Sequence, residues 1–130
     1  MVDEPLVLPY NTYMFNTLLE QKMVTADQVR AGKALAHSAA AQFFQDKLGG
    51  RDQFACGFAW VTVYGVRSNS KQGKELAKEG FSKSYSGGLQ LWNPSGMFVQ
   101  NVDTLEAGAE AMALYLRSLG LEAYAGSRLD

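Results

Sequence analysis

With 130 residues, the chain is long enough to bury a hydrophobic core without a metal or a disulfide. Its composition, 47% hydrophobic and 19% charged, is typical of a globular protein and argues against disorder. The net charge of −1 gives no overall nucleic-acid signal, and no stretch approaches the roughly 18 apolar residues that span a bilayer.

The compartment and the domain count follow from equally simple features. Cys56 is the single cysteine, which excludes an internal disulfide and favours a reducing, intracellular compartment. The N-terminus lacks the basic and apolar regions of a signal peptide. We therefore expect a soluble cytoplasmic protein with residues 1–130 in a single domain.

Residues 1–50 are predicted to form an extended arm followed by a pair of helices. Asn11 can cap the first helix, whose apolar residues share one stripe: Phe15, Leu18, Leu19 and Met23. Thr25 and Gln28 have the spacing of a capping box and open the second, alanine-rich helix. This helix is predicted to end near Leu48, where Gly49 and Gly50 supply a left-handed cap.

Residues 54–130 show the element order strand, helix, strand, strand, helix, strand. The predicted ranges are 54–66, 70–79, 89–93, 97–101, 103–119 and 123–129. The turn sequence Asn93–Gly96 predicts a hairpin between the two middle strands, and Asp103 with Glu106 predicts a capping box. This order favours an α+β, ferredoxin-like β-α-β-β-α-β sandwich. Its four-stranded antiparallel sheet would carry two helices on one face, preceded by the two N-terminal helices.

The first strand separates large side chains from small ones. Along this strand, large residues alternate with a second set that begins with Ala55, Gly57 and Ala59. The aromatic side chains are therefore predicted to face away from the helices that pack on the sheet. The candidate ligand-binding residues on that side are Trp60, Tyr64, Trp92, Gln100, Tyr124 and Arg128. Three partners would cover such a surface: the N-terminal helices, a second subunit, or a ligand such as nucleic acid stacked on the rings.

A locally basic segment follows the first strand. Residues 66–83 carry five cations and two carboxylates, although the whole chain is nearly neutral. A candidate anion site combines the start of the predicted helix with nearby lysines: Ser70, Lys71, Lys74 and Lys83. The alternative interpretation is a solvated helix face, with Ser70 acting only as a cap.

Two reactive residue types occur once each. His37 has no carboxylate three or four residues away, and a lone histidine does not make a metal site, so a structural or surface role is favoured. Cys56 is predicted to be buried in a central strand and therefore inert. The sequence predicts no metal, no cofactor and no catalytic residue.

Three segments resemble a family of small uncharacterised proteins carried by bacteriophages and prophages: Ala55–Val61, Lys83–Gly88 and Ala123–Asp130. The resemblance covers about residues 54–130. It implies a phage origin and the host cytoplasm, and it supplies no catalytic residues.

The residues favour a non-enzymatic binding or assembly module, predicted to form a homodimer or larger oligomer. One alternative is a nucleic-acid-binding protein that uses the aromatic sheet face and the basic 67–83 segment. Another is a small enzyme acting on a phosphorylated substrate, with the amides near Ser70 and with Arg128 as the anion-binding groups.

Overall fold

Residues 23–130 are described by the computed structural model and form three helices and one four-stranded antiparallel sheet. The elements in chain order are helix α1 (Ala26–Leu48), strand β1 (Gly57–Tyr64), helix α2 (Lys71–Lys78), strands β2 (Ser82–Lys83) and β3 (Leu89–Trp92), helix α3 (Val102–Ser118) and strand β4 (Glu122–Leu129). The predicted α+β class with an antiparallel four-stranded sheet is confirmed. The predicted arm and the helix predicted to begin at Asn11 lie outside the described residues.

Strand β1 is central in the sheet, whose order is β2-β3-β1-β4. Its residue Trp60 lies opposite Trp92 of β3 and opposite Gly126 of β4. Strand β4 pairs with β1 along its whole length and forms one edge of the sheet. The short strand β2 forms the other edge.

The predicted hairpin between residues 89–93 and 97–101 is wrong. Strand β3 pairs instead with β2, which precedes it and which lies outside the predicted strand ranges. The turn at Asn93–Gly96 does form, with Gly96 N donating to Asn93 O over 3.0 Å. It directs the chain away from β3, and residues 97–100 form no strand.

A carboxylate from a distant part of the chain holds the end of this segment. Asp52 accepts hydrogen bonds from the backbone amides of Gln100 (2.9 Å) and Asn101 (3.0 Å). These two donors are therefore not available to β3. The backbone of the segment bonds to the chain at the start of β1, where Gly57 N donates to Gln100 O.

Two of the predicted helix starts are confirmed. Thr25 and Gln28 form the capping box of α1, each side chain accepting from the other residue's amide. Of the three polar residues at 68–70 that the sequence offered as caps, Ser70 caps α2, and its Oγ accepts from Gly73 N over 3.0 Å. Local side-chain chemistry was sufficient to place these starts, since each cap spans only three residues.

The predicted capping box at Asp103 is wrong. Helix α3 begins one residue earlier and is capped by Asn101, whose Oδ1 accepts from Thr104 N at 2.9 Å and from Thr104 Oγ1 at 3.0 Å. The Nδ2 of Asn101 donates to Gln53 O over 2.7 Å. The same buried side-chain amide of Asn101 thus caps the helix and holds the segment that leads into β1. Asp103 is exposed and makes neither contact.

Helix α1 lies on the helix side of the sheet, against α3. Its buried residues Ala36 and Ala40 allow a close approach to α3, as the alanine-rich sequence suggested. The chain just before α1 is attached to α2, because Gln72 exchanges two hydrogen bonds of 2.7 Å with the backbone of Val24. The interpretation of this helix as a lid over the aromatic residues is therefore wrong.

Ion pairs reinforce the junction of α1 and α2. Glu79 lies 3.0 Å from Arg30 and 3.4 Å from Lys33, and its side chain is 9% exposed. The hydrogen bond from Arg30 is the main reason why the pKa of Glu79 lies below its ordinary value of 4.5, with Lys33 lowering it further. Glu75 accepts from Ala26 N and from Lys78, and the pKa of Glu75 is lowered chiefly by Lys78.

The core lies between the sheet and the helices. The small and β-branched residues of β1, Ala59, Val61 and Val63, are buried there, as the alternation predicted. They share one cluster with Leu76 of α2 and Met112 of α3, both fully buried. This packing leaves the other face of the sheet, with the aromatic side chains, outside the core.

Candidate functional site

Five aromatic side chains lie together on the face of the sheet that carries no described helix. Four of them are substantially exposed: Phe58 (39%), Tyr64 (41%), Trp92 (48%) and Tyr124 (48%). Trp60, between them, is half-buried. We call these five residues the aromatic face.

The register of β1 and β3 brings three of the rings into contact. Asn93 N donates to Ala59 O, so it is the odd-numbered residues of β1 that form hydrogen-bonded pairs with β3. Trp60 and Trp92 are therefore a non-hydrogen-bonded pair, in which side chains approach more closely. Their ring centroids are 4.9 Å apart, and Phe58 meets Trp92 edge-on at 6.0 Å.

Gly126 makes room for Trp60 on the other side of β1. A Cβ atom at this glycine would lie 2.5 to 2.8 Å from three atoms of the indole. The ring therefore lies over the backbone of β4, where any larger residue would displace it. A second ring pair, Tyr64 and Tyr124, follows along the sheet with centroids 6.3 Å apart.

A guanidinium lies beside each end of the aromatic face. Arg128 is 5.5 Å from the ring centroid of Phe58, and Arg117 is 5.5 Å from that of Tyr124. Both distances are within the range of cation–π attraction. Arg117 also donates to Ala123 O over 2.8 Å, which holds this side chain of α3 near the sheet.

Sequence reasoning did not select Phe58 or Arg117 as site residues. The signal for Phe58 was present in the alternation of β1, since it lies two residues before Trp60. Arg117 belongs to a helix predicted on the opposite face. Only its contact with β4 places its guanidinium at Tyr124.

Gln100 does not lie on the sheet with the other predicted ligand-binding residues. It lines a groove of about 490 Å³ where the chain leaves β3, together with Trp92, Phe98 and Cys56. Gln100 Oε1 accepts from the thiol of Cys56 over 3.4 Å. The prediction of a buried Cys56 is wrong, because the residue precedes β1 and is exposed.

The predicted anion-binding residues are divided between two surroundings. Ser70 is occupied as a cap and also donates to Arg67 O over 2.6 Å, while Lys71 and Lys74 lie exposed on α2. Lys83 lies in a separate cleft of about 510 Å³ with Arg67, Ser68, Asn69, Ser84 and Gly88. We call this the basic cleft.

The two groups of the phosphate-enzyme hypothesis are far apart. Arg128 pairs with Phe58 near the start of β1, whereas Ser70 follows the end of that strand. From Phe58 to Tyr64 the strand covers about 20 Å. Ser70 and Arg128 therefore do not share one site.

His37 lies on α1, and its Nδ1 is 3.0 Å from the carbonyl of Ser95. This contact attaches the helix to the turn that follows β3. Within residues 23–130 no group of three or more His, Cys, Asp or Glu side chains is arranged to hold a metal ion. Over the same range no helix has the length and apolarity required to cross a membrane.

Comparison of the chain with protein-family models, with curated proteins and with solved structures found no significant match. The aromatic face and the basic cleft therefore have to be interpreted from their own chemistry.

Proposed function

We propose that the protein is a non-enzymatic binding module that holds single-stranded nucleic acid on the aromatic face. The observation that carries this proposal is the set of four exposed rings on one sheet face with a guanidinium beside each end. Aromatic rings stack on bases of any sequence, and arginines attract the phosphates between them. These groups bind and orient a strand, and the proposal includes no reaction.

We also propose that residues 57–129 form a ferredoxin-like unit. The order β1-α2-β2-β3-α3-β4, combined with the sheet order β2-β3-β1-β4, supports this assignment. RNA-recognition domains likewise use a four-stranded sheet whose aromatic residues stack two or three bases. The likeness is one of architecture, and the proposed activity rests on the rings themselves.

Binding can be tested with short, mixed-sequence, fluorescently labelled single strands of DNA and RNA, titrated with the full chain at low salt. We expect saturable anisotropy, quenching of tryptophan emission, and an affinity that falls as salt rises. Trp92→Ala should weaken binding roughly tenfold, because stacking one base contributes about 1–3 kcal/mol.

Leu114→Ala is the matched control, since it removes a 63% exposed apolar side chain from α3 on the helix side. It should leave the affinity unchanged. The proposal is wrong if neither DNA nor RNA binds at low salt, or if Trp92→Ala and Leu114→Ala behave alike.

Self-association through the outer edge of β4 is a second candidate function, and one observation favours it. Asp130 N donates to Cys56 O, so the backbone groups of the even-numbered residues of β4 bond to β1. The backbone groups of the odd-numbered residues point away from β1, toward the outer edge of the sheet. Within the described chain, the outward amides and carbonyls of Ala125, Ser127 and Leu129 have no hydrogen-bond partner. An unpaired edge of this length is a template for another strand.

We propose that a second copy pairs there antiparallel, centred on Ala125. This register sets Glu122 opposite Arg128 of the partner subunit, so the charges are complementary. Light scattering should then show a concentration-dependent dimer that Glu122→Arg weakens and that Glu122→Arg/Arg128→Glu restores. A monomer at every concentration, or a double variant no better than the single one, would contradict it.

A further inference from the structure

The basic cleft carries positive charge that its own segment of the chain does not neutralise. Arg67 and Lys83 line it, and no carboxylate does. The segment's two acidic residues, Glu75 and Glu79, are engaged with Lys78 and with Arg30 and Lys33 of α1. Among the ion pairs of residues 23–130, none involves Arg67 or Lys83.

The first wall of the cleft is a loop held by helix α2. The carbonyl of Arg67 accepts from Ser70 N over 3.1 Å and from Ser70 Oγ over 2.6 Å. The backbone around Arg67 is therefore in place before any ligand binds. Its guanidinium is left exposed at the cleft.

The second wall is the loop that joins β2 and β3. Ser84 N donates to Gly88 O over 3.0 Å, and Gly87 N donates to Ser84 O over 3.2 Å. Gly88 has a φ of 78° and lies so close to β1 that a Cβ atom would be 2.8 Å from Val63 O. A glycine is required there, and the loop is fixed against the end of β1.

We propose that the basic cleft binds a phosphate group of the same nucleic-acid strand whose bases stack on the aromatic face. Guanidinium, ammonium and hydroxyl groups recognise phosphate oxygens, and the lining of this cleft contains all three. The assignment differs from the sequence-based anion site, because it replaces Ser70, Lys71 and Lys74 by Arg67, Ser84 and the glycine loop.

The position of Gly88 connects the cleft with the aromatic face. A Cβ atom at Gly88 would lie 3.1 Å from the ring of Tyr64, so the glycine loop that lines the cleft adjoins that ring. Trp60 is four residues farther along β1, about 13 Å away. A strand stacked on Trp60 and Tyr64 would therefore continue into the cleft, and in this sense the inference rests on the proposed function.

The test uses matched charge removals within the same basic segment of the full-length protein. Lys83→Gln and Arg67→Gln each remove a cation from the cleft, whereas Lys71→Gln and Lys74→Gln remove one from the exposed surface of α2. We expect the cleft variants to weaken binding of a single-stranded oligonucleotide at least fivefold. The slope of the logarithm of the affinity against the logarithm of the salt concentration should become shallower by about one. The α2 variants should change the affinity less than twofold. Equal effects from both pairs would overturn the assignment.

A second measurement separates this inference from the proposed function. Inorganic phosphate is titrated into the ¹⁵N-labelled protein at constant ionic strength, with chloride as the reference anion. We expect saturable amide shifts at Arg67, Ser84, Gly87 and Gly88, and their loss in Lys83→Gln.

Phosphate shifts without any oligonucleotide binding would leave a phosphate site and overturn the proposed function. Oligonucleotide binding without phosphate shifts at these amides, and without an effect of Lys83→Gln, would overturn the phosphate site in the basic cleft. The proposed binding of a strand on the aromatic face would then stand.

Discussion

The indole of Trp60 lies over the backbone of Gly126, the residue opposite it on β4. The contact places the largest ring of β1 across two strands. It also leaves the neighbouring Trp92 side chain half exposed.

Gly126→Ala should displace the Trp60 ring, because the added methyl group would lie 2.5 Å from its Nε1. We expect a loss of about 1–3 kcal/mol in the free energy of unfolding and a red shift of tryptophan emission. Denaturant unfolding followed by fluorescence measures both. In a Trp60→Ala background the same substitution should cost little. An unchanged cost there would show that the indole is not what the glycine accommodates.

Asn101→Ala should destabilise the protein by about 1–3 kcal/mol, since it removes a buried helix cap and the hydrogen bond to the carbonyl of Gln53. Asp103→Ala, at the position where the sequence alone suggested the cap, should change stability by less than about 0.5 kcal/mol. Urea midpoints of the two variants provide the comparison. A larger loss at Asp103 would contradict the observed start of α3.

Acid should weaken the junction between α1 and α2. The pKa of Glu79 is lower in the folded protein than its ordinary value of 4.5, so its contribution is complete above pH 4.5 and is lost as pH falls through the folded pKa. Glu79→Gln should cost about 0.5–1 kcal/mol at pH 7 and should flatten the fall in stability below pH 4.5. Glu110→Gln, at an exposed position of α3, should retain the acid dependence of the parent. Thermal unfolding between pH 3 and 7, in steps of about one unit, measures the difference.

Met112→Ala should create a cavity beneath the sheet, because this side chain is fully buried in the core cluster. A loss of about 2–5 kcal/mol is expected. Leu114→Ala, two residues away and exposed to solvent, should cost less than about 0.5 kcal/mol. Chemical denaturation of both variants would reveal whether α3 presents the expected side to the sheet.

Those parts of the fold that depend on neighbouring residues were predictable. The capping box of Thr25 and Gln28, the cap at Ser70 and the left-handed Gly49 each involve contacts within a few residues. The alternation in β1 also separated the buried Ala59, Val61 and Val63 from the exposed rings, because successive side chains of a strand point to opposite faces.

The candidate site was predictable only in part, for the same reason. Trp60, Tyr64, Trp92 and Tyr124 share a face because they occupy equivalent positions of paired strands. Arg117 was missed because it reaches the aromatic face from a neighbouring element, and Arg67 was predicted only as part of the basic 67–83 segment. The hydrophobic periodicity of a single segment does not predict a contact between side chains of different elements.

The sequence by itself determined most helix ends and the sorting of the β1 side chains onto two faces, since these follow from local hydrogen bonds and backbone geometry. The tertiary structure alone decided which strand pairs with β3, where α1 packs and which cations share a cleft. Asp52 bonds to Gln100 and Asn101, and Glu79 to Arg30, across nearly fifty residues. Bonds of that kind compete with local preferences only once the chain has folded.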